Sequence, residues 1–136
     1  MAQKSRLVTA SFHGTVAAHS RITLVSNKID LPFSTKRIRA AFAPGTDRLL
    51  RLSFWISPDP SAPTTDYPTG ANILTQLGPQ HYIVGDDNTV DFQHEIGVEV
   101  AGKYLKVHAE NLDTEVHTID VQITVEIFPW EKVEKK

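Results

Sequence analysis

Histidine side chains are the groups best suited to metal binding or acid–base chemistry in this chain, and there are six: His13, His19, His81, His94, His108 and His117. Neutral imidazole is a common metal ligand, and its pKa near neutrality suits proton transfer. Two histidines at alternate positions of a β-strand would point the same way, yet no His-x-His pair occurs. His94 and His117 take apolar positions of their segments, where they could meet in the core as neutral, hydrogen-bonded side chains. The pattern predicts no transition-metal site and no cofactor.

Oxygen-bearing side chains in turns are the second group to consider, because calcium takes carboxylate and amide oxygens from loops. Asp86, Asp87 and Asn88 follow Gly85 in one such turn. Their spacing does not match the twelve-residue EF-hand loop, and these residue types also cap their own backbone in tight turns. Asp86, Asp87 and Asn88 are therefore candidate calcium ligands, with turn capping as the alternative.

Nucleophilic and phosphate chemistry lack their usual sequence patterns. The chain has no cysteine, no G-x-S-x-G nucleophile elbow, no Walker loop and no G-x-G-x-x-G turn. Glu95, Glu99, Asp120 and Glu126 could share a sheet face, as the paired acids of glycosidases do across their substrate. Outward acids at alternate strand positions are far more often solvated surface. The chain is therefore predicted not to be an enzyme.

Arginine near aromatic residues is the pattern that favours recognition of a partner. Guanidinium groups and exposed rings stack on partner side chains, sugars or bases. If the strands that contain the arginines are adjacent, four of these residues form one outward patch, and the following loop adds acids and a tyrosine. The predicted interface is Arg37, Arg39, Arg51, Trp55, Asp59, Asp66 and Tyr67. The net charge of −2 and the isoelectric point of about 6.3 argue against a nucleic-acid partner.

Alternation of apolar and polar residues with a period of two indicates the elements that position these side chains. It is clearest over residues 50–56, 92–100, 104–110 and 119–127, and weaker over 6–16, 22–25 and 38–42. Residues 70–77 could form one or two turns of helix, and no longer helix is indicated. About eight strands with one apolar face predict an all-β, antiparallel two-sheet sandwich of jelly-roll type. An immunoglobulin-like sandwich is the alternative, although its Cys…Trp…Cys pattern is absent.

The whole chain, residues 1–136, is predicted to be a single domain. Residues 57–80 interrupt the strands with five of the eight prolines, and an irregular segment of this length is usually functional or mobile. This proline-rich loop either covers a sheet edge against unwanted strand pairing or contributes to binding. The charged tail at 130–136 follows Pro129 and is expected to fray.

The formal charge is distributed unevenly along the chain. Residues 1–55 contain nine Lys and Arg against two acids, whereas residues 56–136 contain fourteen acids against five lysines. The two signs either neutralise each other across neighbouring strands or form two oppositely charged faces that steer copies of the protein together. The second arrangement predicts an assembly that dissociates in salt.

The strand pattern, the proline-rich loop and the closing runs Tyr104–Val107 and Ile119–Ile123 resemble single jelly-roll structural proteins of phage and virus particles. That resemblance implies a non-enzymatic virion protein that self-associates, as a trimer, and decorates or stabilises a capsid or forms a surface projection. The implied partners are further copies of the chain and a capsid or other virion protein. The chain has neither an apolar N-terminal stretch nor a long apolar run, so no signal peptide and no membrane partner are expected. The expected location is the virion, or otherwise the cytoplasm.

A carbohydrate-binding module is the alternative function, since exposed rings on a β-sandwich can stack on sugars. Trp55, Tyr67, Tyr82 and Tyr104 are the candidate rings for a glycan partner. Aromatic residues make up 8% of the chain, and several phenylalanines are assigned to the core, which favours the structural role. A cupin-like enzyme is the third possibility and lacks its metal-binding histidine pair.

Overall fold

Eight strands and one short helix make up the computed structural model, which describes residues 5–46, 48–77, 81–94 and 99–128. In chain order the elements are β1 (Arg6–Val16), β2 (Arg21–Val25), β3 (Phe33–Phe42), β4 (Leu50–Ser57), β5 (Ala71–Asn72), α1 (Ile73–Leu77), β6 (Asn88–Gln93), β7 (Tyr104–Asn111) and β8 (His117–Ile127). The helix α1 falls inside the predicted range 70–77. No helix in the described ranges is long and apolar enough to cross a membrane.

The strands form two antiparallel sheets of four. The first, hereafter the β1 sheet, has the order β1-β8-β3-β6, and the second, the β2 sheet, has the order β2-β7-β4-β5. Most successive strands lie in different sheets, and strands from the two ends of the chain pair side by side. This order is that of a jelly-roll sandwich. The predicted fold class is therefore confirmed.

The core lies between the two sheets and is supplied by the alternation seen in the sequence. The inward residues of β4 and β8 are each at most 4% exposed: Leu50, Leu52, Phe54, Ile56, Ile119, Val121, Ile123 and Val125. Burying one such large side chain stabilises the fold by about 1.5–3 kcal/mol relative to leaving it in water. The two strands thus fix which face of each sheet points inward.

Structure and sequence pattern differ most around β6. The strand begins at Asn88 and ends at Gln93, whereas the alternation predicts a strand over 92–100. Residues 95–98, including Glu95, lie outside the described residues, and so does the predicted tail at 130–136. Phe92 is partly buried against the core as predicted, whereas Val100, also predicted to point inward, is 65% exposed. Both ends of the predicted strand are misplaced, and its inward phase holds at Phe92 and fails at Val100.

The two histidines expected to meet in the core are placed near opposite ends of β8, with His117 in that strand and His94 just after β6. His117 begins β8, and its Nε2 lies 2.9 Å from Asp113 Oδ2. His94 contacts Thr35 Oγ1 through Nε2 at 2.9 Å. Because Thr35 pairs with Val125 near the far end of β8, the expectation that these imidazoles meet is wrong.

Candidate functional site

Residues 58–70 of the proline-rich loop lie over the outer face of the β2 sheet. Thr23 Oγ1 of β2 donates a hydrogen bond to Pro63 O at 2.8 Å, and the ring of Tyr67 lies 5.0 Å from the ring of His108 in β7. The outward residues beneath the loop are here termed the covered face: Thr23, Ser53, Trp55, Lys106 and His108. All except Trp55 are at most 5% exposed, and Trp55 is half-buried.

Strand register brings the covered face together from three strands. β2 and β7 pair so that Thr23 is opposite His108, and β7 and β4 pair so that His108 is opposite Ser53 and Lys106 is opposite Trp55. Since side chains alternate between the faces of a sheet, these residues all point away from the core. Without the loop they would be exposed to solvent.

The return of the loop to the sheet is fixed at Gly70. Its φ of 109° lies in the left-handed region, which glycine adopts without steric cost, and a Cβ there would collide with the carbonyl of Ile56. Ser57 and Thr69 then join the two ends of the loop through their hydroxyls at 3.0 Å. The chain re-enters the sheet as β5, which pairs with the edge of β4. The segment therefore covers both a sheet face and a sheet edge.

Lys106 is the most unusual member of the covered face because its side chain is fully buried. Its Nζ lies 3.1 Å from Asp59 Oδ1 and 3.3 Å from Ser61 Oγ, while Thr69 Oγ1 donates to Asp59 Oδ2 at 2.7 Å. Hydrogen bonds from Ser61 and Thr69, with a further one from Lys106, hold the pKa of Asp59 well below its usual range. A buried lysine needs such a partner, because an unpaired charge in the interior is costly.

His108 is held neutral in one tautomer. The hydroxyl of Thr23 already donates its proton to Pro63 O, so at 2.9 Å it accepts from His108 Nδ1. The other ring nitrogen, Nε2, faces Arg21 Nη1 at 3.4 Å and acts as an acceptor. Burial, with a smaller contribution from the charge of Arg21, lowers the pKa of His108 to about 4. The neutral imidazole thus uses both nitrogens in contacts with Thr23 and Arg21, while its ring packs against Tyr67 of the loop.

The ring of Tyr67 closes the covered face from the loop side. Its centroid is 5.8 Å from that of Trp55, and the guanidinium of Arg21 stacks 4.9 Å from its centre. Trp55 Nε1 in turn donates to Ser53 Oγ at 2.9 Å. Tyr67 is still 44% exposed, so the tyrosine shields Trp55 while presenting its own edge to solvent.

A row of charged side chains borders the covered face. Glu110 of β7 lies between two arginines, with Arg21 Nη2 at 3.2 Å and Arg51 Nη1 at 4.0 Å. Arg51 also stacks on the ring of Tyr82, 4.6 Å from its centroid. The two arginines share one acid, so the row has an excess of one positive charge. The row completes the packing around the loop.

The predicted interface residues do not form one patch. Arg51, Trp55, Asp59, Asp66 and Tyr67 gather on the outer side of the β2 sheet and its loop. The arginines at positions 37 and 39 are exposed on β3, in the β1 sheet, on the opposite outer face of the sandwich.

A single patch would require the strands that carry the arginines to be adjacent. They are not, because β3 and β4 lie in different sheets. Arg37 instead pairs with Asp91 of the neighbouring β6, with Nε to Oδ1 at 2.8 Å and Nη2 to Oδ2 at 2.5 Å. This bidentate contact lowers the pKa of Asp91 and raises that of Arg37.

The candidate calcium ligands serve their own turn. Asp86 Oδ1 accepts a hydrogen bond from Gly45 N at 2.9 Å, and Asn88 Oδ1 accepts one from Asp86 N at 2.7 Å. Asp87 has a φ of 53°, a conformation that Asp and Asn tolerate in turns. Among the residues that the structure describes, no three His, Asp or Glu side chains are grouped to hold a metal ion.

Lys106 and His108 are the members of this site that the sequence analysis placed on the polar face of their strand without selecting them as site residues. Their outward positions follow correctly from the alternation. The residues that pair with Lys106 could have indicated its burial. Val25 and Trp55 are both apolar and take outward positions in register with Lys106. An apolar outward row beside a proline-rich loop indicates that the loop covers the sheet.

Comparison with known proteins finds solved structures that are similar to this chain. No protein-family model matches the chain, and no curated protein matches it. Among solved structures, the chain is similar to one from Bacillus endospore appendages, described as disulfide-linked pili, with 12% identity, a TM-score of 0.44, and 92% of this chain and 90% of that chain covered. It is similar to the Yersinia pseudotuberculosis-derived mitogen, with 9% identity, a TM-score of 0.39, and 86% and 85% covered. It is also similar to the VP2 subviral particle of infectious bursal disease virus, with 14% identity, a TM-score of 0.29, and 98% and 43% covered. Similarity at this level indicates no function.

Proposed function

We propose that the protein is a non-enzymatic structural protein whose copies associate along the free edge of β1. This strand is eleven residues long and lies at one edge of the β1 sheet. Its pairing with β8 runs without a register shift from Arg6–Ile127 to Val16–His117. Within the described residues no strand pairs with its other side. A long, regular, unpaired edge is a template for adding a strand from another chain.

The other three edges of the sandwich differ from β1 in ways that limit strand addition. β2 has five residues and β5 has two, while β6 has six and contributes Asp91 to the ion pair with Arg37. Proteins usually protect sheet edges by shortness, bulges, prolines or charges. Residues 7–16 of β1 contain no proline, lysine or acid, and Leu7 is 67% exposed. The unprotected edge of β1 is the observation that supports the proposal.

Absence of catalysis is part of the proposal. The polar groups of the covered face hydrogen bond to one another, as Asp59 does to Lys106 and Thr23 does to His108, and the loop shields them from a substrate. The aromatic rings proposed for sugar stacking are similarly engaged, because Tyr67 lies against Trp55 and Arg51 stacks on Tyr82. These contacts favour the structural role over a carbohydrate-binding module.

The setting that we propose is a virus particle, as a capsid decoration or a surface projection. Pairing of two β1 strands would give a dimer with twofold symmetry, since identical surfaces meet. A trimer, the form implied by the resemblance to virion proteins, requires unlike surfaces to meet. In a trimer, β1 of each copy would therefore contact a surface of the next copy other than its own β1 edge.

The test is the native mass in solution, measured by light scattering on a sizing column. We expect the wild-type chain to be an oligomer and Leu7→Lys to be a monomer, because a lysine on an edge strand opposes strand addition. Val116→Lys is the matched control: Val116 is 60% exposed in the turn between β7 and β8, and its replacement should leave the mass unchanged.

A wild-type monomer, or an oligomer that survives Leu7→Lys, would contradict association through β1. Circular dichroism on both variants checks that each is folded, so that loss of association is not loss of structure. A monomer that also binds immobilised glycans would favour the carbohydrate-binding alternative instead.

A further inference from the structure

An apolar pocket of about 410 Å³ opens between the two sheets beside the first half of β1. It exists because β2 is short. Gly14 of β1 packs on Leu24, and β2 ends at Val25, so Val8 and Ala10 extend beyond the strand that should face them. The segment 26–31 fills the opposite side incompletely. The pocket is thus a consequence of unequal strand lengths.

Apolar side chains make up the most buried part of the pocket, while Thr9, Ser26 and Asn27 also line it. Leu105 and Val125 form its floor and are at most 2% exposed. Val8, Ala10 and Ile127 line the side of the β1 sheet, and Ile29 and Leu31 line the opposite side. A site of this volume is within the range of small-molecule pockets, which are mainly apolar with a few polar groups at their mouth.

Arg6 and Lys28 supply the polar groups at the mouth. Alternation places Arg6 on the same side of β1 as Val8 and Ala10, a position where the strand otherwise carries apolar residues, and Arg6 lines the pocket. Lys28 lines it from the opposite side, together with one acid, Asp30. In the described part of the chain none of these three side chains forms an ion pair or a side-chain hydrogen bond. Two cations against one acid favour an anion.

We propose that the pocket binds a small amphipathic anion, an alkyl chain with a carboxylate or sulfate head. The alkyl chain of the ligand lies between the sheets over Leu105 and Val125, and its head group contacts Arg6 and Lys28. Leu7 points to the other face of β1 and does not line the pocket, so Leu7→Lys changes the association edge without changing the ligand site. The ligand class follows from the combination of an apolar interior with a cationic mouth.

Isothermal titration calorimetry of the full chain tests the proposal, with carboxylates kept below their micelle concentration and decanol below its solubility limit. Decanoate should bind about fifteenfold more tightly than octanoate, since each buried methylene raises affinity about fourfold. Decanol, which lacks the charge, should bind more weakly than decanoate. Arg6→Gln should weaken the binding of decanoate severalfold and leave the affinity for decanol unchanged. Arg48→Gln, at an exposed arginine in the turn after β3, is the matched control and should change neither.

Ala10→Leu tests the interior independently, because the added side chain occupies the pocket and should abolish binding of both ligands. A thermal unfolding curve for each variant checks that it is folded. No binding of decanoate to the wild-type chain would overturn the proposal, as would equal decanoate affinity in Arg6→Gln and wild type. Leu7→Lys should bind decanoate normally, so that failure of the pocket and failure of β1 association give different results.

Discussion

At the scale of single residues, the covered face makes the folded state depend on His108 remaining neutral. Its Nδ1 donates to Thr23 and its ring is buried against Tyr67. Protonation would place a second cation beside Arg21 Nη1, 3.4 Å away, in a site where burial already disfavours charge. One imidazole is thereby linked to the stability of the whole loop contact.

Replacement of His108 tests this link through the pH dependence of stability. The unfolded chain binds a proton at His108 below about pH 6.5, whereas the folded chain does so only below about 4. Between these values the unfolded state holds more protons, so the free energy of unfolding decreases as pH falls, by on the order of 3 kcal/mol in total. We expect His108→Gln to flatten the profile between about pH 6.5 and 4, measured by urea unfolding.

His81→Gln is the matched control for that profile, because His81 is exposed. Its profile should follow that of the wild-type chain over the same interval. An unchanged slope in His108→Gln would show that other groups account for the acid sensitivity, and would contradict a neutral, buried His108.

At the scale of elements, alternation predicts strands well and loops poorly, for a physical reason. Residues 119–127 and 50–56 each have one face in the core, so a shift of one residue would expose every apolar side chain, and their pattern is unambiguous. The loop 58–70 is set by contacts with residues far along the chain, such as Thr23 with Pro63, and no local pattern encodes these. The same limit applies to the site, where the outward direction of Lys106 is predictable and its burial is not.

Lys106 and Asp59 form one contact, but removing the acid is predicted to destabilise the protein more than removing the lysine. Asp59→Asn leaves a fully buried lysine without a compensating charge, and such a charge cannot be hydrated in place. Lys106→Met keeps the packing of the side chain and leaves Asp59, 42% exposed, hydrated and bonded to Thr69. We expect Asp59→Asn to lower the melting temperature clearly more than Lys106→Met does.

Thermal unfolding monitored by circular dichroism measures this difference, with Asp66→Asn as the control for removing an acid from the same loop. Asp66 is exposed and accepts a hydrogen bond from the neighbouring backbone N–H of Tyr67. It has no ion pair among the described residues, so the melting temperature of Asp66→Asn should match that of the wild type. Equal losses in Asp59→Asn and Lys106→Met would contradict the argument that burial of the lysine makes the pair asymmetric.

At the scale of the whole molecule, several bases from the first part of the chain pair with acids from the second part. Arg21 of β2 pairs with Glu110 of β7, and Lys36 of β3 lies 3.5 Å from Glu126 of β8. Arg37 of β3 likewise pairs with an acid of β6. Each contact joins a base from residues 1–55 to an acid from 56–136 across neighbouring strands. These pairs therefore follow the arrangement in which the two signs neutralise each other across neighbouring strands.

This neutralisation determines how the proposed assembly should respond to salt. Two oppositely charged faces would attract one another, and added sodium chloride would screen that attraction. Association along β1 depends instead on backbone hydrogen bonds and on apolar contact by Leu7, which screening leaves intact. We expect the mass of the wild-type oligomer, measured by light scattering, to be the same at low and moderate sodium chloride. Dissociation as the salt rises would mean that charges outside the observed pairs hold the copies together, and that β1 is not the principal contact.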